Sequence, residues 1–395
     1  MRPLSQRTQG LAQSDIRAIT TLVNAVGGIN LGQGICDMPA PEPIKQAAEQ
    51  AIEADRSIYS GYAGIRRLRE AIFDKVRTFN RLPAASPDEV MVSAGSTGAF
   101  VTAMFTLLEP GDEVILFEPF YGYHRSLLAL VPATIRYVRT EGPDWTVDFD
   151  AVRRAVTPKT KAVVVCTPSN PGGKVWTRAE LEALLGVLEE HDLFAITDEI
   201  YEHMVYDGRE HVSLASLPGA YARTVTISGF SKTFNMTGWR LGYAVAPEPL
   251  IGKMGLLNDL FYICAPTPLQ HGVAEAMDLG PGYYQAMLRD YAAKRHMMCE
   301  ALERIGFDVA WPQGAYYVMA NFERFARTHP GYEDDRAACE TLIRTAGVGS
   351  IPGNSFFAHP EDGRHYLRFC FAKEFPVLED ACRRLVAAYA VQDSA

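Results

Sequence analysis

The sequence lacks the marks of several protein classes. No apolar run approaches the about 20 residues that a membrane-spanning helix needs, and the first ten residues lack the apolar stretch of a signal peptide. The seven cysteines form no Cys-x-x-Cys pair, and the net charge of −9 comes without a block of like charge. We therefore expect a cytoplasmic protein with reduced thiols, no membrane association and no nucleic-acid partner.

Common nucleotide and hydrolase motifs are also missing. Gly32-Gln33-Gly34 lacks the third glycine of a dinucleotide fingerprint, and residues 173–175 lack the upstream glycine and the hydroxyl of a P-loop. Residues 229–233 miss the closing glycine of a nucleophile elbow. None of the nine histidines belongs to a His-Glu-x-x-His pair, so we predict no metal site.

Short β-branched runs alternate with helical patterns through the middle of the chain. This alternation predicts an α/β protein with a mostly parallel, seven-stranded sheet. A capping box of Thr177 and Glu180 marks the start of one helix, over residues 178–190. The predicted strands are 89–92, 113–117, 134–138, 161–166, 193–197, 224–228 and 242–245.

The 395 residues are enough for two domains. Residues 46–281 hold the strand and helix alternation and form the predicted large domain. Residues 282–395 form a smaller α+β domain, with a long helix over 283–305 and alternating segments at 314–320 and 365–371. The glycine- and proline-rich residues 1–45 are predicted to be an extended arm and part of the small domain.

One lysine has an unusual setting. Lys232 lies in the segment 228–243, directly after a predicted strand, among aromatic and hydroxyl residues, with Arg240 nearby and no carboxylate. An arbitrary lysine is most often a solvated loop residue. This setting can instead lower the pKa of the amine, which is the state that forms a Schiff base.

Three other motifs have both a chemical and a structural interpretation. Gly95–Ala99 follows a strand and opens a helix, where free N–H groups suit a phosphate, although a capped helix start is equally compatible. Asp198 ends an apolar strand and needs a cationic partner, unless it caps a helix. Arg368 stands in an apolar strand and needs a carboxylate, either from a ligand or from a salt bridge within the small domain.

In this order and over nearly the whole chain, these motifs resemble the class I aminotransferases. These are pyridoxal 5′-phosphate (PLP) enzymes of the aspartate aminotransferase fold, fold type I. The resemblance implies that Lys232 carries the cofactor and that Asp198 keeps the ring nitrogen protonated. It implies a phosphate site at Ser96, Thr97, Gly98 and Arg240, ring stacking by Tyr121, hydrogen bonds from Asn170 and Tyr201 to the 3′-oxygen, and substrate carboxylate binding by Gly34, Asn170 and Arg368.

The resemblance also implies a homodimer, because Tyr59 matches a tyrosine that reaches the cofactor phosphate of the other subunit; Tyr62 is the alternative. The chain departs from the family pattern at two places. Gly229 replaces a common phosphate-binding serine, so that role passes to Ser231 or Ser228. Cys36-Asp37-Met38 replaces the Pro-Asp-Phe that is usual near the substrate.

The resemblance thus implies a ping-pong aminotransferase with Lys232, Asp198 and Tyr201 as catalytic residues. The expected donor is a neutral or aromatic L-α-amino acid, of the methionine, glutamine, phenylalanine or tyrosine type, or aspartate, and the expected acceptor is 2-oxoglutarate. A β-eliminating carbon–sulfur lyase is the alternative with the same cofactor. A PLP-sensing regulator is disfavoured because residues 1–45 are too short and too weakly basic for a DNA-binding segment.

Overall fold

The computed structural model describes residues 15–277 and 279–389. Its centre is a seven-stranded sheet with the order β2-β8-β7-β6-β5-β3-β4. Most residues of these strands are buried because helices cover both faces of the sheet, whereas the last strand in this order has only Val138 buried. They are β2 Val90–Ala94, β3 Glu113–Glu118, β4 Thr134–Arg139, β5 Thr160–Cys166, β6 Phe194–Asp198, β7 Thr224–Gly229 and β8 Leu241–Val245.

The strand directions bring the chemically distinctive segments to one edge of the sheet. Strands β3 to β7 pair in parallel, and β8 runs antiparallel to both of its neighbours, β7 and β2. The carboxyl ends of β2, β3, β5, β6 and β7 and the amino end of β8 therefore share that edge. Ligands of open α/β sheets collect at such an edge.

Helices follow most of these strands. The capping box predicted before residues 178–190 is present, since the Thr177 hydroxyl accepts from the Glu180 N–H and the Glu180 carboxylate accepts from the Thr177 N–H. In the described residues up to position 276, the helices are α1 Asp15–Ala25, α2 Glu42–Glu53, α3 Arg66–Thr78, α4 Gly95–Leu107, α5 Gly122–Leu128, α6 Phe149–Ala155, α7 Arg178–Glu190, α8 Glu248–Tyr262 and α9 Thr267–Ala276.

A second, smaller assembly contains the four-stranded sheet β12-β13-β10-β9, with β9 Asp308–Val309, β10 Tyr317–Asn321, β12 Ile351–Pro352 and β13 Tyr366–Cys370. Its helices are α10 Gly280–Arg304, α11 Glu323–Ala326, α12 Asp335–Ala346, α13 Pro360–Gly363 and α14 Phe375–Tyr389. Strand β1, Ile29–Asn30, pairs in parallel with β11, Val348–Gly349. The segment before the large sheet is thereby joined to the C-terminal part of the chain.

The predicted α/β fold is confirmed, and all seven predicted strands are present with ends within two residues of the prediction. Strand β2 runs on to Ala94 because its pairing with β8 continues to Leu241. The predicted domain boundaries at 45/46 and 281/282 fall inside α2 and α10, and the division into domains stays a prediction. Residues 1–14 of the predicted arm and 390–395 of the predicted small domain lie outside the described residues. No helix among the described residues is long and apolar enough to span a membrane.

Candidate active site

A cavity of about 220 Å³ opens at the sheet edge where the strand ends meet. Eight of the residues that the sequence predicts for the site line this cavity, and six further residues complete it. The predicted residues are Gly34, Ser96, Tyr121, Asn170, Asp198, Tyr201, Lys232 and Arg368, and the further ones are Gln33, Ile35, Tyr123, Cys166, Ile200 and Tyr317. The fold thus brings together residues that are up to 335 positions apart in the sequence.

Lys232 follows β7 on a tight turn and extends into this cavity. Its Nζ donates to the Gly34 carbonyl at 3.2 Å and lies 5.6 Å from the ring centroid of Tyr316. The Tyr316 hydroxyl donates to the same carbonyl at 3.1 Å. No described carboxylate forms an ion pair with the amine, and burial lowers the pKa of Lys232. The lowered pKa makes deprotonation easier than for a solvated lysine, and the neutral amine is the nucleophilic form.

Asp198 ends β6 and is held by a histidine. His124 Nε2 lies 2.9 Å from Asp198 Oδ2, and the Ile200 N–H donates to Oδ1 at 3.3 Å. The imidazole stacks on Phe100 at 4.6 Å and meets the edge of Tyr121 at 5.2 Å. Sequence reasoning missed His124, because the only signal is its position three residues after Tyr121, on a short helix that no cap announces.

Arg368 of β13 is buried and points its guanidinium at the cavity. Nη1 donates to Asn170 Oδ1 at 2.9 Å and Nη2 donates to the Gly32 carbonyl at 2.6 Å. Its carbon Cζ lies 4.4 Å from the Tyr317 ring centroid and 4.9 Å from that of Phe356. Within the described residues Arg368 forms no ion pair, and its Nε has no partner. The arginine is therefore free to bind the carboxylate of a ligand.

Gly34 lies between the lysine and the arginine. A Cβ at this position would come within 1.7 Å of the Tyr317 hydroxyl, so only glycine fits. The Tyr201 hydroxyl donates to the same Tyr317 hydroxyl at 3.2 Å. Tyr317 therefore contacts Gly34, Tyr201 and Arg368. It is a second residue that sequence reasoning missed, because a tyrosine in an apolar strand is more often a packing residue.

The N-terminus of α4 offers a site for an anion. No side chain caps this helix, and the chain enters it through Gly95, whose φ is +72°. A Cβ on Gly95 would lie 2.5 Å from Arg240 Nη2, so the guanidinium sits directly beside the helix start. Ser96 faces the cavity, and Thr97 and Gly98 occupy the same first turn. Free N–H groups, the helix dipole and a cation therefore coincide there.

The remaining predicted residues have different positions. Ser231 is buried on the turn that carries Lys232. The Ser228 hydroxyl donates to Glu202 Oε1 at 2.7 Å. Neither serine belongs to the cavity lining, and a phosphate-binding role for Ser231 stays a prediction. Tyr59 is 74% exposed and lies outside the cavity lining. A single chain therefore does not bring Tyr59 to the other site residues.

A buried polar network lies beside the loop that follows Asp198. Glu202 pairs with Lys75 at 2.5 Å and accepts from Ser228, and Glu199 lies 2.8 Å from His211 Nε2. Burial alone would raise the pKa of Glu202, but the Lys75 ammonium holds it below its usual range. Potential metal-ligating atoms of Glu199, Glu202 and His211 lie within 4.8 Å of one another. Both carboxylates already have hydrogen-bonding or ionic partners within the protein, so their burial does not require a metal ion.

At the strand ends of this α/β sheet the site combines a half-buried amine, a helix N-terminus suited to an anion and a guanidinium without an ion pair. This combination is typical of a cofactor-dependent enzyme of the α/β class. A family model of class I and II aminotransferases matches residues 26–385. The chain belongs to this family. Members of the family depend on PLP, and this protein is a PLP-dependent aminotransferase.

Individual relatives are similar over nearly their whole length. Aromatic-amino-acid aminotransferase 2 of Thermococcus litoralis is 33% identical over 386 residues, 97% of each chain. Aspartate/prephenate aminotransferase of Thermus thermophilus is 34% identical over 369 residues, 91% of this chain and 92% of the relative. The crystal structure of an Escherichia coli protein with a methionine aminotransferase function matches with a TM-score of 0.92 at 29% identity, covering 98% of this chain and 99% of the other.

The residues of this cavity fit PLP. Lys232 supplies a half-buried amine, Asp198 a carboxylate in the cavity lining, and the uncapped α4 N-terminus with Arg240 an anion site. The glycine at position 95 lets the Arg240 guanidinium approach the helix start, where a side chain would collide with it. Arg368, which forms no ion pair among the described residues, supplies a cation for a substrate carboxylate.

Proposed function

We propose that this aminotransferase transfers the amino group of a neutral or aromatic L-α-amino acid, or of aspartate, to 2-oxoglutarate by a ping-pong mechanism. The named relatives, which include aromatic, methionine and aspartate/prephenate aminotransferases, support this range of donors. The observation that carries the proposal is the single cavity shared by Lys232, Asp198, Asn170 and Arg368. When bound, PLP supplies an aldehyde carbon that accepts the amino group and a ring that accepts electrons from the substrate Cα.

Each residue has a separate task in this proposal. Arg368 and Asn170 bind the substrate α-carboxylate and thereby orient the Cα–H bond. The neutral amine of Lys232 removes the Cα proton and later returns it. The Asp198 carboxylate, oriented by His124, would face the cofactor ring, and Tyr201 would donate a hydrogen bond from its hydroxyl. Tyr121 would lie against the ring, while Ser96, Thr97, Gly98, Ser231 and Arg240 would bind the phosphate.

Replacing the lysine tests this assignment. Lys232→Ala should lose the near-visible absorbance of the bound cofactor and at least about 10³-fold in rate, because the positioned base is removed. A variant that keeps both the absorbance and the rate would refute the role of Lys232. Accumulation of ammonia and pyruvate from a cysteine derivative by the wild type, without amino transfer, would favour the lyase.

The homodimer is part of the proposal. An apolar surface on α4 and α8 supports it, with Phe105 and Phe261 in ring contact at 5.4 Å and Leu260 79% exposed. Exposed apolar surface of this kind is typical of an interface between copies of one chain. The exposure of Tyr59 agrees with a role in the partner's phosphate site. The seven free cysteines support a cytoplasmic, reducing location.

Hybrid dimers test the role of Tyr59 directly. Subunits with Tyr59→Ala and subunits with Lys232→Ala are each mixed with themselves and with one another. If Tyr59 acts across the interface, the mixed dimer contains one site with both native residues, and activity returns. If Tyr59 acts within its own chain, mixing restores nothing, and the shared site is refuted.

A further inference from the structure

The mouth of the cavity carries two exposed apolar side chains without a role in the mechanism above. Ile35 is 48% exposed and Tyr123 is 47% exposed, and both line the cavity that contains Lys232 and Arg368. Among the described residues of that lining, the charged ones are Lys232, Arg368 and Asp198. Each of these three is committed to the cofactor or to the α-carboxylate. The described lining therefore offers no further charge to the side chain of a substrate.

Tyr123 extends an aromatic surface from the interior of the cavity to its mouth. It lies on the first turn of α5, and its ring stacks on Tyr121 with 5.4 Å between centroids and 18° between planes. Tyr121 is also the ring that borders His124. A substrate side chain that leaves the reacting carbon towards solvent therefore passes an aromatic face.

Contacts to its backbone and to the next residues hold Ile35 in place. Lys373 Nζ donates to the Ile35 carbonyl at 3.1 Å and lies 3.8 Å from the carboxylate of Asp37. Asp37 Oδ1 in turn accepts from the Glu374 N–H at 2.7 Å. These contacts tie the segment around Ile35 to the end of β13. They also give Asp37, in the unusual Cys36-Asp37-Met38 sequence, a structural task outside substrate binding.

We infer that Ile35 and Tyr123 together bind the donor side chain and select a large uncharged amino acid, aromatic or thioether, over aspartate. This inference rests on the proposed function and narrows its donor range. An aromatic ring or a thioether gains contact with both residues. A β-carboxylate at the same place loses hydration without gaining a cation. The second carboxylate of 2-oxoglutarate is one methylene further out, closer to solvent.

Single-turnover reactions of the holoenzyme test this selection. The holoenzyme is mixed with phenylalanine, methionine, alanine or aspartate without an oxo acid, and the loss of near-visible cofactor absorbance is followed. Wild type should react about 100-fold faster with phenylalanine or methionine than with aspartate. Ile35→Ala and Tyr123→Ser should each slow phenylalanine about 10-fold, yet change alanine less than about two-fold, because its methyl group does not reach the mouth.

Ile52→Ala is the matched control, since Ile52 is 54% exposed on α2 and lies outside the cavity lining. It should leave all four reactions unchanged. Equal wild-type rates with aspartate and phenylalanine would overturn the inference. So would an equal loss of rate with alanine and with phenylalanine in Ile35→Ala and Tyr123→Ser. Both results leave the aminotransferase assignment intact.

Binding without turnover separates the two proposals. If no amino acid changes the wild-type spectrum, the proposed function fails first. The affinities of the protein for two unreactive carboxylates, 3-phenylpropanoate and succinate, then still show whether the mouth of the cavity prefers an aromatic group or a carboxylate. Tighter binding of 3-phenylpropanoate that weakens about 10-fold in Ile35→Ala supports the inference, and tighter binding of succinate contradicts it.

Discussion

Replacing Arg368 by leucine removes the one guanidinium that the described residues contribute to the cavity lining. Two of its five N–H donors are used by Asn170 and Gly32, so each terminal nitrogen keeps a second N–H group that can bind a substrate carboxylate. A hydrogen bond to a charged group contributes about 1.5–3 kcal/mol, so two such bonds contribute about 3–6 kcal/mol. Because a tenfold change corresponds to about 1.4 kcal/mol, kcat/KM should fall by about 10² to 10⁴.

The assay is the single-turnover reaction with phenylalanine, and the cofactor absorbance reports whether PLP still binds. Arg368→Leu should keep that absorbance, but its single-turnover rate should no longer saturate as the amino acid concentration rises. Arg368→Lys is the control, because it keeps the charge and loses the two-pronged geometry, and it should recover only part of the rate. An Arg368→Leu enzyme with wild-type kcat/KM would refute the carboxylate-binding role.

Three further predictions concern residues around the site. Glu202→Ala leaves Lys75 buried without its partner and should lower the free energy of unfolding in urea by about 3–5 kcal/mol; a loss below about 1 kcal/mol would contradict the importance of the pair. Burial raises the pKa of Asp335 to about 6, so the folded protein holds a proton that the unfolded chain releases, and stability should fall as pH rises from about 4 to about 6. Urea titrations across that range should show a flatter profile in Asp335→Asn, and an unchanged slope would refute the assignment. His124→Phe removes a hydrogen bond to Asp198 and should lower kcat about 10-fold while PLP still binds; an unchanged kcat would argue against a positioning role.

The sheet was predictable because most of its strands are short, buried and rich in β-branched residues. Polar residues lie at or just after the ends of several strands, such as Asp198 at the end of β6, and these residues mark the shared edge. Asp198 ends β6 and Lys232 follows β7, the neighbouring strand, so both residues reach the shared edge and line one cavity. Strand ends shifted by one or two residues because pairing with a neighbour, rather than local composition, ends a strand.

Long-range polar contacts were not predictable from the pattern. His124 and Tyr317 contact site residues far away in the sequence, and the one local signal is that His124 follows Tyr121 by three positions. The Gly32 carbonyl that binds Arg368 is a backbone group, which no side-chain pattern reveals. Ser228 and Ser231 were equivalent in the sequence, and the buried Glu202 distinguishes them by accepting the Ser228 hydroxyl.

An absorbance spectrum of the purified protein with PLP, before and after addition of amino acids without an oxo acid, tests the central claim most directly. We predict a near-visible band that depends on Lys232 and that is lost when phenylalanine or methionine is added, as the amino group passes to the cofactor. A protein that shows no band with added PLP would contradict the assignment of this cavity. A band that persists with every amino acid would contradict amino transfer.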